Sequence, residues 1–125
     1  MSEEVVQWGG GEAQLLIYVL DAPDHLDDVL AAFLEANVTA ATVLESQGIG
    51  GLLSRDMPIF ASFRHLLTGS RPYSYTIIAP VSGGTATEEV IALLRDVMAD
   101  VPAEDRGYLL SVPIAGFVNL ADEDG

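Results

Sequence analysis

Two periods of hydrophobicity alternate along this chain. Residues 14–21, QLLIYVLD, are a short, nearly continuous apolar run of strand length, the pattern of a central strand. Pro23 and Asp24 interrupt it. Leu26, Val29, Leu30, Phe33 and Leu34 then recur at helical spacing and draw one apolar stripe. Asp24 has the chemistry of an N-cap, because its carboxylate can accept the free amide hydrogens of a first turn. Asp27 and Asp28 suit the positive end of the same helix dipole, and Asn37 suits a left-handed turn that closes it. Residues 39–46 carry threonine and valine in partial alternation and predict a second strand.

The same sequence of signals returns in the second half. Residues 73–80, YSYTIIAP, are β-branched and aromatic, and Ser82-Gly83-Gly84 reads as a turn. Thr85 with Glu88 three positions on predicts a capping box. Val90, Ile91, Leu94, Val97 and Met98 form the next helical stripe, which Val101-Pro102 ends. Residues 108–114 predict a fourth strand that stops at Pro113 or lies at a sheet edge, and residues 117–120 a short fifth. Strand–helix–strand, loop, strand–helix–strand specifies an α+β, ferredoxin-like βαββαβ sandwich. Its four-stranded antiparallel sheet would carry two helices on one face. The other face would then lack a cover, and a symmetric oligomer is the simplest source of one.

The expected long loop between strands 2 and 3, residues 48–72, contains an apolar pattern of its own. Met57, Ile59, Phe60, Phe63, Leu66 and Leu67 stand at near-helical spacing, with Pro58 admissible in a first turn and Thr68-Gly69 as a stop. A short helix follows, folded onto the body or an interface, or presented as a docking surface for another protein. Arg55, Arg64 and Arg71 place three of the chain's five basic residues in this segment. Either an anion site or a salt-bridged structural role fits that concentration.

Composition narrows the function classes. The 125 residues suit one domain, expected over 13–121, between an acidic, glycine-rich flexible tail at 1–12 and an acidic tail at 122–125. Nineteen acidic residues against five basic ones, all arginine, give a net charge of −14. Such a field repels phosphate backbones and anionic lipid, so neither nucleic acid nor direct membrane insertion is an expected partner. Cysteine is absent, and His25 and His65 read as surface or packing residues rather than members of a ligand set, so no metal site is expected. The start of the chain lacks a signal-peptide pattern, and a cytoplasmic location is the default expectation. Adjacent carboxylates at Asp27-Asp28, Glu88-Glu89 and Glu104-Asp105 read as caps and dipole partners rather than acid–base pairs. With no nucleophile motif present, the expectation is a protein that is not an enzyme.

Leu26-Asp27-Asp28-Val29, Val38-Thr39, Thr42-Val43, Glu45 and Gly48-Ile49-Gly50 occur in an order and ungapped spacing that resembles the nitrogen regulatory PII family. The resemblance implies a homotrimer with adenine-nucleotide sites in clefts between subunits. It also implies control of an unidentified protein target, a transporter or metabolic enzyme, through the long loop. Carried over by position, Thr42, Gly48, Ile49, Gly50, Arg106 and Gly107 would be ligand-binding, and Arg55, Met57, Phe60, Phe63 and Arg64 would serve the partner-binding loop. No cofactor is implied beyond the adenine nucleotide. The chain departs from the family where it places Gly51 and Leu52 after the glycine pair, and Tyr108 where a phosphate-binding lysine is usual. Uncharged residues near Gly116 and Asn119 replace the usual C-terminal arginines. These departures predict a divergent member with a weakened hold on triphosphate, Arg106 being the one compensating cation. CutA-like and ACT-like small regulatory modules share the topology and are the alternatives without nucleotide sensing.

Overall fold

The structure is a computed structural model that describes residues 13–49 and 74–121. In chain order it comprises β1 (Gln14–Leu20), a 3₁₀ turn (Pro23–His25), α1 (Leu26–Glu35), β2 (Thr42–Ser46), β3 (Ser74–Val81), α2 (Gly84–Val97), a second 3₁₀ turn (Ala103–Asp105) and β4 (Tyr108–Pro113). The expectation of an α+β chain with a four-stranded antiparallel sheet and two helices is met. The strands lie in the order β2-β3-β1-β4, and every neighbouring pair is antiparallel. Each strand–helix–strand unit is therefore split by a strand from the other unit.

Register assigns the side chains to two faces. Leu16 stands opposite Ala79, and Tyr18 opposite Ile77 and Leu109. With Leu20 and Val81, these residues meet Val29, Ala32 and Phe33 of α1 and Val90 and Leu94 of α2 in the core. The helices pack against one another over this one face. Phe33, Leu16, Leu20, Ile77, Val29 and Val90 are its largest fully buried side chains. Burying each contributes roughly 1.5–3 kcal/mol relative to exposure.

The end of α1 follows its sequence signal closely. Asn37 adopts φ 64°, its amide donates to Leu34 O at 2.9 Å, and the Val38 amide donates to Phe33 O at 2.9 Å. That pair of bonds is a Schellman turn, and its hydrophobic contact is supplied by Val38 and Phe33, both in the core.

Several local expectations are corrected. Asp24 is not the N-cap of α1: Pro23 starts a 3₁₀ turn closed by the His25 amide on Ala22 O at 2.9 Å, and α1 begins after it at Leu26. Asp27 and Asp28 do occupy its first turn. The Thr85–Glu88 capping box is not formed, because extended Gly83 is the N-cap and starts α2 two residues earlier, leaving Thr85 inside the helix. Thr87 donates to the Gly83 carbonyl instead, through its amide at 3.1 Å and its hydroxyl at 3.3 Å. Leu34 falls off the stripe and is exposed, while Ala32 and Ala36 complete the buried face. Residues 39–41 precede β2 rather than belonging to it, and 117–120 form no strand beyond an isolated bridge at Phe117. Pro113 closes β4, which is an outer strand.

Candidate functional site

The face of the sheet away from the helices is built from Leu15, Ile17 and Val19 of β1, Thr42, Leu44 and Ser46 of β2, Ser74, Thr76, Ile78 and Pro80 of β3, and Tyr108, Leu110 and Val112 of β4. Alternation forces this set, since every second residue of a strand points away from the core. Leu15 lies between Pro80 and Val112, Ile17 between Ile78 and Leu110, and Val19 between Thr76 and Tyr108. None of these residues is charged, in a chain of net charge −14. Leu44, Tyr108, Leu110 and Val112 are 46%, 58%, 49% and 42% exposed. Toward the β2–β3 edge the face ends in a cluster of hydroxyls: Thr76 donates to Ser46 at 2.9 Å, and Ser46 and Ser74 share a bond of 2.9 Å.

The candidate ligand residues fall on the two outer strands. Thr42 opens β2 and is exposed; Gly48 and Ile49 follow β2, with Ile49 74% exposed. Gly48 has no atom within 4 Å of where a Cβ would stand. Arg106 and Gly107 lead into β4 at the opposite edge. Register puts Gly48, Ile49, Arg106 and Gly107 at the same end of the sheet, because Ser46 pairs with Ser74, Leu20 with Tyr75 and Val19 with Tyr108. The edges are three strand spacings apart, about 14 Å. A ligand touching both must cross the ends of β1 and β3, or take its two lips from neighbouring copies. Gly50, Arg55, Met57, Phe60, Phe63 and Arg64 lie outside the described residues.

Three contacts anchor the segment before β4. The Tyr18 hydroxyl donates to Arg106 O at 2.6 Å. The Arg106 guanidinium turns back on its own loop, donating from Nε to Val101 O at 2.7 Å and from Nη2 to Ala99 O at 3.1 Å. These carbonyls follow the end of α2, where a cation also meets the negative end of the helix dipole. Gly107 has φ +80°, and a Cβ there would sit 1.7 Å from Val19 O. Glycine is thus required twice at this position, by the left-handed backbone and by the approach to β1. Burial first, and the nearby Asp21 carboxylate second, push the Tyr18 phenol up to about 12, so it stays protonated and keeps donating.

The sequence reading did not identify a recess of about 490 Å³ at the other end of the sheet. Residues 36–40, Pro80, Val81, Ser82 and Ala86 line it, with Phe117 and Asn119 as its outer wall, and no lining residue is charged. Its only sequence signals are the Asn37 turn and the uncharged stretch near Asn119. Among the described residues no helix is long and apolar enough to cross a membrane, and no group of three His, Asp or Glu side chains could hold a metal ion. Neither a protein-family model nor a curated protein matches this chain.

Proposed function

We propose that this chain is a divergent PII-like regulatory protein. Three ferredoxin-like subunits close their bare sheet faces on one another, and an adenine-type ligand binds in the clefts so formed. Loop 48–72 then carries the output to a partner transporter or enzyme. The observation that carries the reading is the charge-free apolar face opposite the helices. Contiguous exposed apolar surface of this kind is uncommon on monomers and marks an interface. Copies of this chain are the favoured occupant, because a strongly acidic protein can approach itself only through a surface free of acids. The four-stranded antiparallel sheet with its two helices is compatible with such a ferredoxin-like subunit.

The test is native mass spectrometry with sedimentation velocity at low micromolar protein, paired with a thermal-shift series of ATP, ADP, AMP and 2-oxoglutarate. A trimer that Leu110→Glu dissociates, stabilised by an adenine compound, is the expected result. A folded monomer would end the proposal. A dimer that ignores every adenine compound would favour the ACT-like alternative, and a trimer that ignores them the CutA-like one.

A further inference from the structure

The recess beside Asn37 lies where the chain enters the fold. The Ile114 amide donates to Ala13 O at 3.0 Å, and Gln14 pairs with Val81 on one side and Pro113 on the other. Val81 and its neighbours Pro80 and Ser82 line the recess, one strand spacing or about 5 Å from Gln14. Phe117, in its outer wall, stands three residues beyond Ile114. Residues 1–12 are therefore joined to the fold at the recess. Trp8, the single tryptophan of the chain, precedes Ala13 by five residues, a reach of about 16 Å. Gly9-Gly10-Gly11 between them allows the backbone to reverse at no steric cost.

We propose that the recess is the docking site of this chain's own residues 5–8, Val5-Val6-Gln7-Trp8, with the Trp8 indole seated in it. The contact lies within one subunit and does not depend on the assembly proposed above. A volume of about 490 Å³ falls in the range of ~300–1,000 Å³ over which clefts hold a compact organic group. No lining residue is charged, which matches a segment that carries no charge between Glu4 and Glu12. Seating an indole removes about 150–250 Å² from water, and its N–H then needs an acceptor. The side chains of Asn37, Thr39 and Ser82 bring oxygen atoms to the lining for that purpose. The other segments outside the described residues fit less well. Residues 50–73 are joined at the opposite end of β3, an eight-residue strand about 26 Å long. Residues 122–125 are Asp-Glu-Asp-Gly, three acids beside a neutral recess. Docked in this way, residues 5–8 would tie the connection from α1 to β2 to the start of α2, and so join the two strand–helix–strand units.

Tryptophan fluorescence of the full chain reads Trp8 alone. Its emission is expected to be blue-shifted from that of the urea-unfolded protein, with acrylamide quenching several-fold weaker. Thr39→Glu and Ala40→Glu place a carboxylate at exposed positions of the recess and should restore solvent-like emission and quenching, with circular dichroism confirming the fold. Leu34→Glu adds the same charge at an exposed site outside the recess and should leave Trp8 shielded. Hydrogen exchange at residues 36–40 and 82–84 should be several-fold faster in Trp8→Ala. Solvent-like emission from the parent protein would overturn the proposal. So would a shielded Trp8 that ignores both recess variants, since the segment would then pack elsewhere. Shielding lost on dilution, in step with dissociation in native mass spectrometry, would overturn it too, by making another copy's segment the occupant.

Discussion

Replacing Gly107 with alanine adds a single carbon at the tightest backbone approach described in this chain. The new Cβ would stand 1.7 Å from Val19 O and 2.9 Å from Val19 C, so main-chain atoms of β1 would have to move. Two terms add. A non-glycine residue at φ +80° costs roughly 1–2 kcal/mol. Forcing backbone apart in a packed region costs roughly 1–3 kcal/mol more. Reduced freedom of the unfolded chain returns about 0.4–1 kcal/mol. The net loss is about 2–4 kcal/mol, or roughly 6–15 °C in Tm for a domain of this size. Urea and thermal unfolding at fixed protomer concentration measure it, the concentration being held because an oligomer's Tm depends on it. Asn serves as the diagnostic second variant. It tolerates the left-handed backbone yet carries the same Cβ, so Gly107→Asn should recover little of the loss. Gly84→Ala is the control: its Cβ meets nothing within 4 Å at the first position of α2, and it should stabilise by about 0.4–1 kcal/mol. A Gly107→Ala protein within 0.5 kcal/mol of the parent would refute the account of this segment.

Other perturbations probe neighbouring contacts. Tyr18→Phe removes the donor to Arg106 O and should lower stability by about 1–2 kcal/mol at neutral pH, read by urea midpoint. Tyr18 holds its proton to about 12 when folded and to about 10 when unfolded, so its contribution is complete below pH 10. It should be lost as pH rises from about 10 to 12, and the Phe variant should show a shallower decline there. Arg106→Ala strips two donors from the carbonyls after α2 and should cost about 0.5–1.5 kcal/mol, with hydrogen exchange accelerating around 98–107. Phe33→Ala empties a fully buried position under the Schellman turn and should cost about 3–5 kcal/mol by chemical denaturation.

Much of this architecture was legible in the chain because local signals agree with tertiary need. The stripes Val29–Phe33 and Val90–Leu94–Met98 name the buried positions of both helices, and Asn37 announces its turn through a conformation few other residues accept. Helix starts were less legible. Aspartate and threonine can cap, but Pro23 and extended Gly83 set the chain's entry angle and moved both starts by one or two residues. Element order predicts a sheet face that neither described helix covers, yet the freedom from charge of its described residues emerged only once register had sorted them. Arg106 shows the limit of reading chemistry from type: sequence marks a cation before a glycine, and only geometry turns its guanidinium toward Ala99 and Val101. The recess beside Asn37 is hinted at only by that turn and the uncharged stretch near Asn119, because it is assembled from main-chain turns and small neutral side chains drawn from distant segments.

The interleaved strand order has a consequence for how the molecule comes into being. Among the described strands none pairs with a partner across a tight turn: the closest cross-strand pair, Ser46 and Ser74, is 28 positions apart, and the bond from Tyr18 to Arg106 spans 88. On the ribosome β1 and α1 emerge long before either neighbour of β1 exists, and the sheet can zip only when β3, then β4, has left the exit tunnel. Folding that waits on such distant encounters is slow compared with a helical bundle of similar length. Throughout that interval the apolar residues of β1 are open to chaperones, or to other nascent copies of the same chain.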